Sequence, residues 1–273
     1  MITLKVENGV AEVMLDRPEK HNALNGELMS GLVDTVATIE RDRSVRVVVL
    51  HGAGRSFCAG LDMANFGSMA SGALRSDSAN VQDAYTDLSP GGANRPQQMA
   101  WRWRELSIPV IAAVHGAALG GGLNLALAAD MRIVSRDAKL GFVEITWGLM
   151  PDMSASQSLR RLVGDDRAKL LVLTGRRFDG REAVEWGLAT ELSDDPLARA
   201  REIAAEIAAH NPDAVRAALA VLDHSVDAET ADGLAEEARR SSGLIGSPNQ
   251  IEAVTARMEG RDSSFTDTPS ESA

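Results

Sequence analysis

Three consecutive glycines, Gly120 to Gly122, stand between a strand-like segment, "IPVIAAVHG", and a helix-like run, "LNLALAAD". Backbone N–H groups at the start of a helix have no partner within the helix, and the helix dipole favours negative charge there. The glycines therefore indicate a site where an anionic oxygen could lie against bare backbone. A tight strand-to-helix connection with close backbone packing explains the same residues equally well.

A second turn of small residues, "RSFCAGLDM" at 55–63, follows another apolar strand, "VRVVVLHGAG". Two such turns could supply two converging N–H donors, which is what an oxyanion hole requires. The second turn therefore strengthens the catalytic interpretation of the glycines.

Four segments, in this order along the chain, carry a family resemblance: "RSFCAGLD", "AAVHGAALGGGLNLALAAD", "EITWGLMPD" and "LTGRRFDGREAVEWGLA". Together they resemble the crotonase superfamily, also called the enoyl-CoA hydratase/isomerase family, over nearly the whole chain to about residue 260. The resemblance implies an α/β fold, the ClpP-like crotonase spiral of β-β-α turns, with a C-terminal helical oligomerisation module. It also implies an acyl-CoA thioester whose carbonyl oxygen is held by the backbone N–H groups of Leu61 and Gly121.

Hydratases of this family place one carboxylate in the helix after the glycines and a second one further along the chain. Glu144 matches the second position, but Asn124 occupies the first. A neutral amide can orient water but cannot accept a proton at physiological pH. The position of Glu144 inside an apolar segment predicts a buried acid with a raised pKa.

Asp152 lies where many of these hydratases have glycine, and dienoyl-CoA isomerases of the family have an aspartate there. The resemblance therefore implies that Glu144 and Asp152 could form the acid-base pair of an isomerase. An N-cap on a helix beginning near "MSAS" is the structural alternative for Asp152.

The coenzyme is expected to lie along two segments, since the family meets its phosphates and adenine there. The residues matched in this way are Arg17, Lys20, Arg55, Ala59 and Asp62. Isolated basic residues are also commonly just solvated. No metal site and no separate cofactor is expected, because coenzyme A is part of the substrate.

Other reactive or aromatic side chains have simpler explanations. His115 ends an apolar strand and is expected to bond to the backbone, and Cys58 is expected to be a small packed residue. Trp101, Trp103 and Trp147 either border the acyl pocket or belong to the core.

The periodicity of the sequence predicts the elements that position these groups. "ITLKVENGVAEVMLD" alternates around Asn8-Gly9 and predicts a hairpin, and "NGELMSGLVDTVATIERD" has the apolar spacing of a helix. "MRIVS" and "AKLGFV" predict further strands, and helical patterns dominate from about residue 153. We expect a spiral core over 1–195, a helical trimerisation region over 196–260 and a disordered tail over 261–273, with a mobile surface insertion at 67–97.

Composition limits the classes of partner that the protein could bind. The formal charge of -11 disfavours nucleic acid, and no apolar stretch approaches the length of a membrane helix. The N-terminus has no signal-peptide pattern and the single cysteine excludes an internal disulfide, so we expect a cytoplasmic protein. The resemblance implies a homotrimer or a dimer of trimers.

Three functional hypotheses follow. The first is an acyl-CoA enzyme of the hydratase/isomerase type in fatty acid or related acyl-CoA metabolism, with hydration or double-bond isomerisation as alternatives. The second is a catalytically weak acyl-CoA-binding protein, which the presence of Glu144 disfavours. The third is an RNA-binding member of the family, which the acidic charge disfavours.

Overall fold

The computed structural model describes residues 1–71 and 83–267, and it begins with the predicted hairpin. Strand β1 (Ile2–Glu7) pairs antiparallel with β2 (Val10–Leu15), with Glu7 opposite Val10. Asn8 and Gly9 have φ of 51° and 79°. Two positive φ angles are what a tight type I′ hairpin turn requires, so the Asn-Gly signal is confirmed.

The hairpin continues into a parallel sheet. Strands β3 (Val47–Gly52), β4 (Val110–Val114), β6 (Met131–Val134) and β8 (Glu191–Leu192) complete a six-stranded sheet in the order β1-β2-β3-β4-β6-β8. Every pairing after the hairpin is parallel. All residues of β3 and β4 are buried, because helices cover both faces. The predicted α/β class is confirmed.

A second, two-stranded parallel sheet carries the glycine segment. It consists of β5 (Ala117–Leu119) and β7 (Lys139–Gly141). Helix α4 (Gly121–Ala128) begins directly after β5 and is buried from Gly122 to Ala128. A helix buried on all sides has no solvent-exposed polar face, which explains why Asn124 is its only polar side chain.

Helices α1 (Gly26–Arg41) and α3 (Arg95–Arg104) bury apolar side chains in the larger core. Helix α2 (Met63–Ala70) lies between them in the chain. The predicted apolar stripe of α1, made of Leu28, Leu32, Val36 and Ile39, is fully buried, and Asn25 caps its N-terminus. The predicted insertion at 67–97 contains the end of α2 and the start of α3, and residues 72–82 of it lie outside the described residues.

The second half of the chain is helical, as predicted. Its helices are α5 (Ala155–Leu162), α6 (Asp165–Thr174), α7 (Gly180–Glu185), α8 (Pro196–Ala208), α9 (Pro212–Ser225), α10 (Thr230–Leu244) and α11 (Pro248–Glu259). Helix α8 starts at the predicted domain boundary, but its alanines Ala200, Ala204 and Ala208 pack on the main sheet against Val47 and Ile111. Helix α8 therefore packs on the main sheet, and the assignment of 196–260 to trimerisation stays a prediction.

The polar tail differs in part from the expected disorder. Residues 261–267 form no helix or strand, yet the Thr266 amide donates to Asn249 Oδ1 at 3.0 Å and Arg46 donates to the Phe265 carbonyl at 3.2 Å. The rest of the predicted tail, 268–273, lies outside the described residues. Across the part of the chain that is described, none of the helices combines the length and the apolarity needed to cross a membrane.

Candidate active site

The two small-residue turns lie side by side. The Cys58 amide donates to the Ala117 carbonyl at 2.9 Å, and the Leu119 amide donates to the Cys58 carbonyl at 3.1 Å. On its other side the same turn pairs with Leu24, whose amide donates to the Gly60 carbonyl at 2.7 Å. The segment before Leu61 is therefore fixed between β5 and the chain that leads into α1.

The backbone of this turn reaches the start of α4. A Cβ placed on Gly60 would lie 3.7 Å from the Gly121 nitrogen. Leu61 and Gly121 are both half-buried, and within residues 1–71 and 83–267 neither amide is paired with an acceptor. Two neighbouring N–H groups remain available to a ligand, one of them at the positive end of a helix.

Each of the three glycines has its own structural reason. Gly120 has φ of 52°, which disfavours residues with a side chain. A Cβ on Gly121 would lie 2.8 Å from atoms of Leu24 and Met153, and one on Gly122 would lie 2.1 Å from the Cys58 carbonyl oxygen. The close-packing explanation therefore holds for Gly122, and it coexists with the Gly121 amide at the helix start, which is unpaired among the described residues.

Glu144 lies against this helix start. A Cβ on Gly120 would be 3.5 Å from the Glu144 carboxyl carbon. Asn124 donates its Nδ2 hydrogens to the Gly120 carbonyl at 2.8 Å and to Glu144 Oε1 at 3.0 Å. Burial raises the pKa of Glu144, and the charge of Asp152 raises it further, while the Glu144 backbone amide and Asn124 act in the opposite direction. The raised pKa expected from the sequence is thus present.

Two oxygen atoms of the Asn124–Glu144 pair accept no hydrogen bond from the described residues. Asn124 Oδ1 and Glu144 Oε2 are buried, and no donor from the described residues reaches either of them. Asn124 is 1% exposed. Buried oxygens without a donor are rare in proteins and indicate a site for a water molecule or a ligand.

Asp152 is held by a tyrosine and caps no helix. The Tyr85 hydroxyl donates to Asp152 Oδ2 at 2.6 Å. Burial and the neighbouring carboxylate raise the pKa of Tyr85 to about 12, so the hydroxyl keeps its proton. The N-cap interpretation of Asp152 is wrong, because Ser154 is the N-cap residue of α5 and Asp152 lies two residues before it.

The residues matched to coenzyme binding fall into two groups. Arg17 is tied down, since its Nη1 donates to Asp62 Oδ2 at 2.5 Å and to the Ala23 carbonyl at 2.9 Å. Asp62 also caps α2 by accepting from the Ala64 amide at 2.9 Å. These two side chains therefore position the Leu61 turn.

The remaining coenzyme candidates have different surroundings. Lys20 and Arg55 are exposed, and their segments are neighbours because Gly54 packs on Pro18. The Ala59 amide donates to the His21 carbonyl at 2.9 Å. Coenzyme contacts at Arg17, Lys20, Arg55, Ala59 and Asp62 stay predictions.

His115, Cys58 and Trp103 have the simpler roles, whereas Trp101 and Trp147 are not buried in the core. His115 Nε2 lies 2.9 Å from the Gly54 carbonyl oxygen, and burial raises the pKa of the Cys58 thiol to about 12. Trp103 is buried in the core, and Trp101 lines a separate cavity of about 250 Å³. Trp147 follows Glu144 on the same 3-10 helix, Val143–Trp147.

Sequence reasoning missed Tyr85, Met153 and Leu24. Tyr85 belongs to a polar stretch without clear periodicity. The one signal that could have drawn attention to it is that the chain has a single tyrosine. Met153 and Leu24 contact Gly121 from segments far apart in sequence, which no local pattern reveals.

Comparison with known proteins identifies the family to which the chain is related. The family model for enoyl-CoA hydratase/isomerase matches residues 5–268. The human enoyl-CoA hydratase domain-containing protein 2, mitochondrial, is 33% identical over 266 residues, covering 95% of this chain and 86% of the relative. The hydroxycinnamoyl-CoA hydratase-lyase of Pseudomonas fluorescens is 33% identical over 224 residues, which cover 80% of this chain and 76% of the relative.

A solved enoyl-CoA hydratase from Bacillus anthracis superimposes with a TM-score of 0.84 at 32% identity, over 97% of this chain and 98% of that one. This match confirms the crotonase fold that the motifs implied. The chain belongs to the enoyl-CoA hydratase/isomerase family of the crotonase superfamily.

Proposed function

We propose that this protein converts an acyl-CoA thioester through an enolate, with Glu144 as the residue that carries the proton. The observation that supports this most strongly is the position of Glu144, a half-buried carboxyl with a raised pKa, beside the helix start that offers the Gly121 amide. The Leu61 and Gly121 N–H groups donate to the thioester oxygen as it becomes negative. One such donor is worth about 3 kcal/mol in a comparable site.

The favoured reaction is migration of a carbon–carbon double bond. Glu144 Oε2 removes a proton from the acyl chain, and the electron pair moves into the thioester to give the enolate. The enolate then takes a proton back at a different carbon, and the double bond forms at its new position. The returning proton is the one that Glu144 removed, delivered by Glu144 itself or passed first to the Asp152 carboxylate, so no proton is gained or lost. Asn124 supports this choice, since it cannot act as a second base.

Hydration of a 2-enoyl-CoA is a second candidate, and one observation favours it. Asn124 Oδ1 and Glu144 Oε2 are neighbouring buried acceptors without a donor. A water molecule has two hydrogens and could donate one to each oxygen. Glu144 would then accept one of these protons as the oxygen attacks C3, and would return it to C2.

The two reactions are separated by assays with 2-enoyl-, 3-enoyl- and dienoyl-CoA substrates. We expect Glu144→Gln to lower kcat by about 10²- to 10⁴-fold on every substrate that is turned over. Glu206→Gln, at an exposed carboxyl on α8, is the matched control and should leave kcat unchanged. Equal rates for the wild type and Glu144→Gln would refute the proposal.

Two further variants distinguish isomerase from hydratase. Asp152→Asn should slow isomerisation more than hydration, because only isomerisation uses Asp152 in this scheme. Asn124→Glu restores a second carboxylate and should raise hydration relative to isomerisation. Binding of CoA thioesters without turnover of any would favour a catalytically weak binding protein.

A further inference from the structure

Each carboxylate of the proposed acid-base pair has one oxygen held by an uncharged donor. Asn124 donates to Glu144 Oε1 at 3.0 Å, and the Tyr85 hydroxyl donates to Asp152 Oδ2 at 2.6 Å. The second oxygen of each carboxylate, Glu144 Oε2 or Asp152 Oδ1, accepts no hydrogen bond from the described residues. One oxygen therefore fixes the side chain in both cases, and the other remains for a proton.

Asp152 lies beside the reacting region. The next residue, Met153, packs on the start of α4, since a Cβ on Gly121 would lie 2.8 Å from its sulfur. Burial raises the pKa of Glu144, and the charge of Asp152 raises it further. Asp152 forms no ion pair with any residue that the structure describes. The Tyr85 hydroxyl is thus the contact that orients this carboxylate.

Local bonds place the segment that presents Tyr85. Residues 83–86 form a helical turn, and Asp87 directly after it accepts from Arg95 Nε at 3.0 Å. Arg95 is the first residue of α3. The Ser89 amide donates to the Ala93 carbonyl at 2.8 Å and closes the turn between Asp87 and Arg95. Tyr85 is therefore attached to the start of α3, and it reaches an aspartate 67 positions further along the chain.

Packing does not account for a tyrosine at position 85. The side chain is 46% exposed and belongs to neither hydrophobic core. A phenylalanine would occupy the same space, so the hydroxyl is the group that distinguishes this residue. Burial and the Asp152 carboxylate raise the pKa of Tyr85 to about 12, so the hydroxyl stays a donor at neutral pH.

We propose that Tyr85 is a positioning residue for double-bond migration, holding Asp152 Oδ2 so that Oδ1 takes up the proton that Glu144 removed and returns it to the acyl chain. The proposal rests on the proposed function, because it gives Asp152 the second half of that proton transfer. The O–H bond of Glu144 breaks as that of Asp152 forms, and the Asp152 O–H bond breaks as the new C–H bond forms. Tyr85 keeps its own proton throughout. Hydration by Glu144 alone does not use Tyr85.

Kinetics of Tyr85→Phe test the role, because this variant removes the hydroxyl and keeps the ring. We expect kcat for isomerisation to fall by about tenfold or more from misplacement of Asp152, with KM unchanged within about twofold and hydration unaffected. In an Asp152→Asn background the same substitution should cost nothing further, since Tyr85 acts through Asp152. Leu88→Ala, at an exposed residue of the same segment, is the control and should leave both reactions unchanged.

A spectroscopic measurement tests the contact without turnover. The chain has a single tyrosine, so protein made with 3-fluorotyrosine carries one fluorine label, next to the Tyr85 hydroxyl. Fluorine lowers the pKa of the phenol and brings its ionisation to a lower pH, where fluorine NMR can follow it. The midpoint should fall by at least about one pH unit in Asp152→Asn, because the negative partner is removed. The labelled wild type retains the hydroxyl and should keep its kcat.

The outcomes separate this role from the proposed function. An unchanged fluorine midpoint in Asp152→Asn would overturn the contact, whatever the enzyme turns over. Turnover that depends on Glu144 but is the same in Tyr85→Phe would refute the positioning role and leave the proposed function intact. Equal losses in isomerisation and hydration, or additive losses in the double variant, would also refute it. A wild type that turns over no substrate would refute the proposed function and this role together, and the fluorine titration would still show whether Asp152 binds Tyr85.

Discussion

At the scale of single residues, Asn124 determines which carboxylate oxygen of Glu144 can exchange a proton. Its amide is held by the Gly120 carbonyl and donates to Glu144 Oε1, which leaves Oε2 as the oxygen that can exchange a proton. A glutamate at position 124 would place a second negative charge beside Glu144. The asparagine instead stabilises the ionised form of one carboxylate, so the pair has one base and one fixed donor.

Replacing Asn124 by leucine should move the acid side of the pH–rate profile to higher pH. Glu144 must be ionised to act as a base, so kcat/KM falls as the pH drops through its pKa in the folded protein. The Asn124 hydrogen bond lowers this pKa, and its loss leaves burial to raise the pKa further. The measurement is kcat/KM against pH for the wild type and Asn124→Leu.

The control for this experiment is Asn249→Leu, which removes an amide that is equally buried but bonded to Asp213 and Thr266. It should reduce stability without moving the acid limb. An acid limb that stays in place in Asn124→Leu would contradict the assignment of Glu144 as the titrating base.

Asp62 connects site geometry with stability at low pH. Hydrogen bonds from the Ala64 amide and from Arg17 hold the pKa of Asp62 below its ordinary value. A carboxyl with a lowered pKa in the folded state stabilises the fold above its unfolded pKa, and this contribution is lost as the pH falls through the lower folded value. We expect Asp62→Asn to flatten the decrease in unfolding free energy below about pH 4, measured by urea denaturation. An identical pH dependence in both proteins would show that Asp62 makes no such contribution.

Among the elements, the junction of β5 and α4 decides whether the site forms. Gly122 brings α4 against the Cys58 carbonyl, and this contact sets the distance between the two turns that carry Leu61 and Gly121. Because the obstacle is backbone in a paired segment, it cannot move aside as a side chain could. The glycine therefore fixes an arrangement that spans more than 60 residues of sequence.

Alanine substitutions at Gly122 and Gly120 should differ in their effect, because only a Cβ on Gly122 would meet backbone atoms. Gly122→Ala should destabilise the protein by about 3 kcal/mol or more and should lower kcat by more than about tenfold, because the Leu61 turn is displaced. Gly120→Ala would meet no backbone atom, and its cost is that of a strained backbone at φ 52° and ψ -123°, on the order of 1–3 kcal/mol. Thermal denaturation and kcat measure both effects.

Gly243→Ala provides the matched control, since this glycine lies inside α10 with open space around it. Alanine there should stabilise the protein by about 0.5–1 kcal/mol. If Gly122→Ala were as well tolerated as Gly243→Ala, close backbone packing could not be what positions the two turns.

Local sequence patterns predicted the helices and strands, but they did not predict which elements contact each other. The hairpin at Asn8-Gly9 and helix α1 depend on residues close in sequence, so periodicity and turn chemistry identify both. The Ala200, Ala204 and Ala208 stripe predicts a buried helix face, yet nothing in its spacing says that the main sheet covers it.

The same division applies to the candidate site. Family motifs predicted Glu144, Asn124 and the two turns, and the structure brings Glu144, Asn124 and both turns together. The Tyr85 contact with Asp152 joins residues 67 positions apart and belongs to no motif of the resemblance. Contacts of this kind depend on tertiary packing, which a single sequence does not encode in any local pattern.

At the scale of the whole molecule, the C-terminal helices expose large apolar side chains. Leu222, Leu234, Ile245 and Met258 are 67%, 62%, 79% and 82% exposed, and α10 contributes no buried residue to the core. Large exposed apolar side chains on three successive helices favour a surface that another subunit covers. We propose that it is the contact surface of a homotrimer, or of a dimer of trimers.

A charge on this surface should dissociate the assembly. Burying one leucine contributes about 1.5–3 kcal/mol per subunit, and a glutamate in its place adds the cost of dehydrating a carboxylate. We therefore expect wild type to elute as a trimer or hexamer in size-exclusion chromatography with light scattering, and Leu234→Glu to shift toward monomer at the same concentration. Val6→Glu, on the exposed edge strand β1, should leave the assembly intact. A monomeric wild type would overturn the proposal, and the exposed helices would then need a different partner.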